Sequence, residues 1–200
     1  MKDATRGGRV WATLAAVAIA GGMMLAMGAP QAMGAAVGRG SGQGKARLEI
    51  VPGSDVTTGC SSYPCATASV GSAGVHISVS LGIESEQNIQ PRTYYTDLLH
   101  VVNPTGANVT ITAVAVVGLT ESRQGDVGGI TVYYCLTQSD DPEEGCAWSF
   151  STSSTSGGTV FSGADTLAAG ATRYIELSGF AGPLAQPGDV VGFSIVVTAR

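Results

Sequence analysis

The chain has 200 residues, of which 12% are charged, and a formal net charge of −5. Typical soluble proteins carry roughly 25% charged residues. This composition excludes a nucleic-acid-binding class, because no basic patch is present to neutralise phosphates. It also excludes a disordered chain, because 44% of the residues are hydrophobic. The length allows one domain with a substantial core, or two small ones.

The first 36 residues have the features of a secretory signal peptide. Lys2, Arg6 and Arg9 precede an uncharged apolar run at residues 10–27, and small residues at 34–36 fit a cleavage site. Two alternatives stay open: a membrane anchor, since the run is long enough to span a bilayer, and the retained N-terminal helix of a type IV pilin. Cleavage is the favoured interpretation. We therefore expect a secreted, extracellular protein with no stable membrane anchor.

Residues 36–51 form one segment with two different faces. Small and apolar residues occupy the even positions, and polar, mostly charged residues occupy the odd ones, as in a strand whose side chains alternate. Extended, the segment reaches roughly 50 Å, more than the roughly 40 Å width of a domain of this size. We predict an arm and first strand at residues 37–51. The end near Leu48 joins its own domain, and the glycine end reaches a neighbour as a donor strand.

A flexible Gly/Ser tether is an equally open interpretation of that glycine end. The predicted donor strand comprises Val37, Gly38, Arg39, Gly40, Ser41, Gly42, Gln43 and Gly44.

Four cysteines support export. Cys60 and Cys65 are five residues apart, and Cys135 and Cys146 are eleven apart. Four cysteines permit three connectivities, and pairing of sequence neighbours is the simplest. A metal site would require CxxC-like spacings and histidines, which neither pair has. Structural disulfides are therefore predicted, and they imply an oxidising location or a hyperthermophilic source.

The remaining sequence alternates strand patterns with turns. Residues 75–83 alternate apolar and polar positions, as in a half-buried strand. Residues 93–102 and 108–119 are joined by an Asn-Pro-Thr-Gly turn and are interpreted as a β-hairpin. Residues 130–136 and 147–151 are interpreted as a second hairpin, which the second pair of cysteines would close.

The end of the chain continues this pattern. Residues 159–161 and 172–177 are short strand candidates, residues 190–199 are a strong closing strand, and residues 56–74 are interpreted as a loop. No helical period follows residue 40. About eight strands separated by turns predict an all-β fold, an antiparallel sandwich of two sheets over residues 52–200.

The sequence contains no catalytic motif that we recognise. A nucleophile elbow, a phosphate loop and a zinc-binding helix motif are all missing. His76 and His100 are the only histidines, and each falls on a predicted strand. We expect no enzymatic activity and no cofactor.

Two features are candidates for a ligand or a modification. The acidic tip at residues 139–145 offers clustered carboxylates, which Ca²⁺ prefers, although acidic turns that aid solubility are the favoured interpretation. Asn108 begins a glycosylation sequon, Asn-Val-Thr. The weak calcium candidates are Asp140, Asp141, Glu143 and Glu144.

Several runs resemble a family of extracellular fibre proteins. KARLEIV at residues 45–51, YYTDLLHVVN at 94–103 and NVTITAVAVV at 108–117 resemble the TasA-like fibre proteins, and especially the archaeal bundling pilins. Residues 170–175 and 188–199 fit the same pattern, whereas the cysteine pairs and the acidic tip lie outside it. The resemblance implies a jelly-roll-like sandwich that polymerises outside the cell by donor-strand complementation.

The predicted function is accordingly that of a structural subunit of a pilus or biofilm-matrix fibre. Its partners would be identical subunits, and neighbouring filaments where fibres bundle. A sandwich one strand short exposes unpaired backbone groups that an extended segment can fill, and head-to-tail contacts that do not close give a filament. A type IV pilin-like subunit and a secreted β-sandwich adhesin or binding module are the alternatives.

Overall fold

Eleven strands and one short helix make up the part of the chain that the structure describes. The computed structural model describes residues 35–36, 48–58, 64–71, 74–82, 91–121, 127–152 and 156–200. The elements are β1 (Ala35–Ala36), β2 (Glu49–Pro52), β3 (Ala66–Gly71), β4 (Gly74–Val79), β5 (Thr93–Val102), β6 (Val109–Glu121), β7 (Val127–Cys135), α1 (Pro142–Gly145), β8 (Trp148–Thr152), β9 (Gly158–Leu167), β10 (Thr172–Ala181) and β11 (Val191–Ala199).

The strands form two antiparallel sheets. The six-stranded sheet has the order β1-β2-β5-β10-β7-β8, and the five-stranded sheet has the order β3-β4-β11-β6-β9. Alternation places the apolar side chains of each strand in one shared core. In β4, Val75, Ile77 and Val79 are buried and His76 is exposed. The predicted all-β antiparallel sandwich is therefore confirmed.

An aromatic cluster joins the two sheets at one side of the sandwich. Tyr134 of β7 and Trp148 of β8 belong to the six-stranded sheet, and Phe161 of β9 belongs to the five-stranded sheet. The ring centres of Tyr134 and Phe161 are 5.2 Å apart, and those of Trp148 and Phe161 are 4.8 Å apart. Such distances are typical of favourable aromatic pairs.

The predicted hairpin of residues 93–102 and 108–119 is wrong. β5 pairs with β2 and β10 in the six-stranded sheet, whereas β6 pairs with β11 and β9 in the five-stranded sheet. The turn between them crosses from one sheet to the other. Asn103 holds this crossing, because its buried side chain donates hydrogen bonds to the carbonyls of Leu167 and Ala168 at the end of β9.

Other strand predictions differ in detail. The interpretation of residues 56–74 as a loop is wrong over Ala66–Gly71, a short run of mostly small residues that pairs with β4 as β3. Helix α1 was not predicted, because four residues are too few to show a helical period. It is capped by Asp141, whose carboxylate accepts a 3.0 Å hydrogen bond from the Glu143 backbone N–H. β9 and β10 are longer than predicted.

The N-terminal segment is described in part. Leu48 is buried and Glu49–Pro52 pairs with β5, which confirms a strand at that end of the predicted arm. The predicted donor residues, 37–44, lie outside the described residues. The described residues all belong to one unit, Ala32–Arg200. No helix within the described ranges is long and apolar enough to cross a membrane.

Candidate functional site

The first candidate site is the side of the sandwich where β2, next to the outermost strand β1, lies close to β3. β2 pairs with β5 on one side and, on the other, with the two residues of β1, Ala35 opposite Ile50 and Ala36 opposite Glu49. β3 is the edge strand of the five-stranded sheet. Sheet edges of this kind present backbone groups that another strand can pair with.

The chain after β2 is joined to β3 at one point within the described residues. Val56, shortly after β2, forms a parallel bridge to Ala66 at the start of β3, and the Thr57 N–H donates a 2.9 Å hydrogen bond to the Ala66 carbonyl. That carbonyl therefore points away from β4. Backbone groups alternate in direction along a strand, so Ala68 also directs its N–H and C=O away from β4. Its side chain packs against the core.

A second candidate site is the loop of residues 136–145, which we call the disulfide loop. The Cys135–Cys146 disulfide closes it at the base, and β7 and β8 on either side pair in register, with Tyr134 opposite Trp148. The predicted second hairpin and this disulfide are thus confirmed. Cys65 is also disulfide-bonded, and its predicted partner, Cys60, lies outside the described residues. Disulfide bonding indicates an oxidising environment.

The disulfide loop covers Glu176 of β10. Ile175 and Leu177 face the core, so alternation places Glu176 on the opposite, outer face of the six-stranded sheet. It is nevertheless fully buried. Its Oε1 accepts a 2.9 Å hydrogen bond from the Ser139 backbone N–H, and its Oε2 lies 3.7 Å from Cys146 Sγ. The sequence contains no signal for this burial, because Glu176 has the pattern of an exposed strand residue.

These groups also form the one set of at least three metal-ligand-type side chains that converges within the described ranges. Ligand atoms of Cys135, Cys146 and Glu176 lie within 4.8 Å of one another. Both sulfurs are committed to the disulfide. The arrangement therefore offers one carboxylate rather than a set of metal ligands.

Neighbouring carboxylates surround the same region. The Asp97 carboxylate accepts hydrogen bonds from the Ser54 backbone N–H at 2.7 Å and lies 2.5 Å from His100 Nε2. Burial raises the pKa of Asp97, but these hydrogen bonds outweigh it and hold the pKa below its usual value. The Asp97 backbone N–H donates in turn to Asp55 at 2.8 Å.

The predicted calcium residues serve several different contacts. Asp141 caps α1, and Glu143 pairs with the Arg92 guanidinium and lies 3.4 Å from the Tyr94 hydroxyl. Asp140 and Glu144 are exposed. The four carboxylates are not among the converging ligand sets of the described chain. Calcium binding at this tip stays a prediction.

A shallow cleft of about 320 Å³ lies on the outer face of the six-stranded sheet. On one side the Arg92 guanidinium carbon lies 5.9 Å from the centre of the Phe180 ring. On the other, the hydroxyls of Thr131 and Ser151 are 2.9 Å apart. These groups can hydrogen-bond a polar molecule, but the residues that line the cleft include no paired acid and base.

The remaining predicted residues lie far apart in the fold. His76 is exposed on β4 of the five-stranded sheet, with Nδ1 3.4 Å from the Ser194 hydroxyl. His100 lies on β5 of the other sheet, against Asp97 and the ring of Tyr174. Asn108 is exposed immediately before β6, and its glycosylation stays a prediction.

The sequence matches no protein-family model and no curated protein.

Proposed function

We propose that the protein is a structural subunit of an extracellular filament, in which residues 37–44 of one copy complete the sandwich of the next copy. The observation that carries the proposal is the side of the sandwich where β3 is the edge strand of the five-stranded sheet and β2 is covered only by the two residues of β1, with the chain after β2 bridged to β3 at Val56 and Ala66. An extended segment can pair with such an edge through backbone hydrogen bonds.

The composition of the arm suits that role. Glycine alternates through residues 38–44, so one face of the arm is free of side chains and can lie close to another sheet. Ala66 and Ala68 on β3 carry only methyl side chains, and both contribute to the buried side of the edge. If each subunit gives its arm to the next, the contact is head-to-tail and produces an open filament.

Cleavage of the signal peptide would expose the edge of the six-stranded sheet. Ala35 and Ala36 pair with Ile50 and Glu49, and the predicted cleavage follows Ala36. In a chain cleaved there, β1 is lost and β2 becomes the edge of the six-stranded sheet. The disulfides agree with secretion into an oxidising environment. The proposed role is structural and requires neither catalysis nor a cofactor.

Deletion of residues 37–44 from the mature chain tests this proposal. The starting material is the processed protein, whose N-terminus is determined by sequencing. A start near residue 37 agrees with the proposal, and a start that retains residues 10–27 favours a type IV pilin instead. We expect the chain that begins at residue 37 to elute as polymers in size-exclusion chromatography and to form fibres in electron micrographs.

The variant that lacks residues 37–44 should be folded and monomeric. A matched control replaces the glycines at 38, 40, 42 and 44 with alanine, which keeps the length of the arm but adds side chains to its glycine face. We expect this control to assemble more slowly than the native arm. Equal polymerisation by the deleted chain would exclude residues 37–44 as the donor.

A further inference from the structure

The disulfide loop is attached to the sheet beneath it at three levels. The Cys135–Cys146 bridge closes its base, the Ser139 backbone N–H donates to Glu176 at its middle, and Glu143 at its tip pairs with Arg92. The base is covalent and the tip contact is exposed. The middle contact is the only one of the three that buries a carboxyl group.

Contacts within the loop hold Ser139 in place. The Ser139 hydroxyl donates to the Asp141 carbonyl at 2.7 Å and accepts from the Asp141 backbone N–H at 3.2 Å. Gly145 lies against the same hydroxyl, and a Cβ at this position would come within 2.0 Å of it. Movement of Ser139 therefore involves Asp141 and Gly145 as well, and so the disulfide loop as a whole.

Carboxylates face Glu176 from several elements. Asp97 lies on β5, Asp55 follows β2, and Asp140 lies on the loop itself, and each disfavours a second negative charge at Glu176. Burial is the largest effect, the Ser139 hydrogen bond opposes it, and together these influences raise the pKa of Glu176 to about 7.

Within the described ranges, no basic side chain contacts Glu176. Helix α1 carries Glu143 and Glu144 in its first turn, and Tyr133 of β7 is occupied by a 2.9 Å hydrogen bond to the Ser178 hydroxyl. The described basic groups on or beside these strands contact other carboxylates: His100 contacts Asp97, Arg92 contacts Glu143 and Arg173 contacts Asp165.

We propose that Glu176 is a pH-dependent latch for the disulfide loop. In its protonated form it stays buried beneath Ser139 and the loop is closed on the sheet. When it ionises, the disulfide loop lifts so that the carboxylate reaches water, while the Cys135–Cys146 bridge keeps β7 and β8 together. The loop then opens and closes reversibly without unfolding of the strands.

The direction of the effect follows from the two states of the carboxyl group. Its pKa in the closed loop is higher than the ordinary value of 4.5 that it regains when hydrated. The closed form is therefore fully stabilised below about pH 4.5 and loses that stabilisation as the pH rises through 7. Between pH 6 and pH 8 the ratio of open to closed loop should rise about tenfold.

Hydrogen exchange tests the latch in the purified protein with its disulfides oxidised. The measured quantity is the protection of the amides of residues 136–146, corrected for the intrinsic exchange rate at each pH. Wild type should lose about tenfold in protection between pH 6 and pH 8. In Glu176→Gln the side chain cannot ionise, so the change should be less than about twofold.

Glu144→Gln is the matched control, because it removes one carboxylate from the exposed face of the same loop. It should follow wild type. Identical pH dependence in wild type and Glu176→Gln would overturn the proposal. If Glu176→Gln does not fold, the ¹³C carboxyl resonance of Glu176 in wild type decides: a midpoint near 7 supports the latch, and a midpoint near 4.5 overturns it.

Discussion

Arg173 and Asp165 form a bidentate ion pair between the two sheets. Arg173 Nε donates to Asp165 Oδ2 and a terminal guanidinium nitrogen donates to Oδ1, each at 2.8 Å. Arg173 lies on β10 of the six-stranded sheet and Asp165 on β9 of the five-stranded sheet. The Tyr134 hydroxyl also donates to Asp165, at 2.6 Å. One carboxylate thus holds three strands, β7, β9 and β10, in place.

Asp165→Asn should lower the free energy of unfolding by about 2–3 kcal/mol, because it leaves the Arg173 guanidinium largely buried without a counter-charge. The side chains of Arg173 and Asp165 are 16% and 10% exposed, so solvent screens the pair little. Urea unfolding measures the loss. Glu144→Gln, at an exposed site, should change stability by less than about 0.5 kcal/mol.

The stability of Asp165→Asn at acid pH provides a second measurement. Burial raises the pKa of Asp165, but hydrogen bonds from Arg173 and Tyr134 outweigh it and hold the pKa below its usual value. The stabilisation is therefore present above the unfolded pKa and lost as the pH falls through the folded one. The difference in the free energy of unfolding between wild type and Asp165→Asn should decrease as the pH falls from about 5 to about 2. A constant difference would show that the pair does not act through charge.

Asn103 is the second residue that connects distant parts of the sandwich. Its fully buried amide donates to the carbonyls of Ala107 at 2.8 Å and Leu167 at 2.9 Å, and its Oδ1 accepts from the Thr105 backbone N–H at 3.0 Å. Asn103→Ala would remove this donor from the carbonyl of the buried Leu167 and two part-buried hydrogen bonds, at a cost of about 2–3 kcal/mol. Thermal and urea unfolding measure this cost.

Asn108→Ala provides the control for Asn103, because it lies in the same turn region but is exposed. It should change stability by less than about 0.5 kcal/mol. Equal losses for the two variants would contradict the structural role assigned to the Asn103 amide.

The strand content of this fold follows from local pattern, but the pairing of strands does not. Alternation predicts β4, an apolar run predicts β11, and the two strand runs beside the second cysteine pair predict the β7–β8 hairpin. The four-residue turn that begins at Asn103, however, suits both a hairpin and a crossing between sheets. The choice depends on carbonyls 64 and 65 residues away in sequence, and no local pattern contains that information. The result is that β5 and β6 are recognised as strands but assigned the wrong partners.

The candidate sites also differ in whether the local sequence predicts them. The disulfide of Cys135 and Cys146 follows from spacing, whereas the buried state of Glu176 depends on a loop that folds over it from 37 residues away. The edge of β3 was missed because its residues are small and it lies in a Ser/Thr/Gly-rich stretch. Small residues carry a weak strand signal, even where they form an edge that a partner could use.

Gly74 occupies a backbone conformation that other residues rarely adopt. Its φ is +145°, and a Cβ would approach the Ile195 carbonyl oxygen to 2.4 Å. Gly74→Ala should therefore destabilise the fold by about 2 kcal/mol or more through strain at the start of β4. Gly106→Ala is the control, since no atom lies within 4 Å of its Cβ position. It should be neutral or slightly stabilising, and urea unfolding compares the two.

The edge of β3 can be blocked without disturbing its pairing to β4. Ala68 directs its backbone N–H away from β4, as the hydrogen bond from Thr57 to the Ala66 carbonyl indicates for this side of the strand. Ala68→Pro removes that N–H, and proline is tolerated where an edge strand faces outward. We expect a folded protein that assembles into filaments at least about tenfold more slowly than wild type. The edge of β3 would lack one N–H donor for the incoming arm, and the proline ring would obstruct the arm.

Thr67→Pro is the matched comparison at the next position. Thr67 lies opposite Ser78 and directs its backbone groups toward β4, so proline there should destabilise the sandwich itself, by about 3 kcal/mol. Light scattering follows assembly, and circular dichroism reports folding. If Ala68→Pro is folded and polymerises at the wild-type rate while deletion of residues 37–44 abolishes polymerisation, the arm is the donor and β3 is not the edge that accepts it. β2 would then be the acceptor, because loss of Ala35 and Ala36 leaves its outer backbone groups available to a neighbouring subunit.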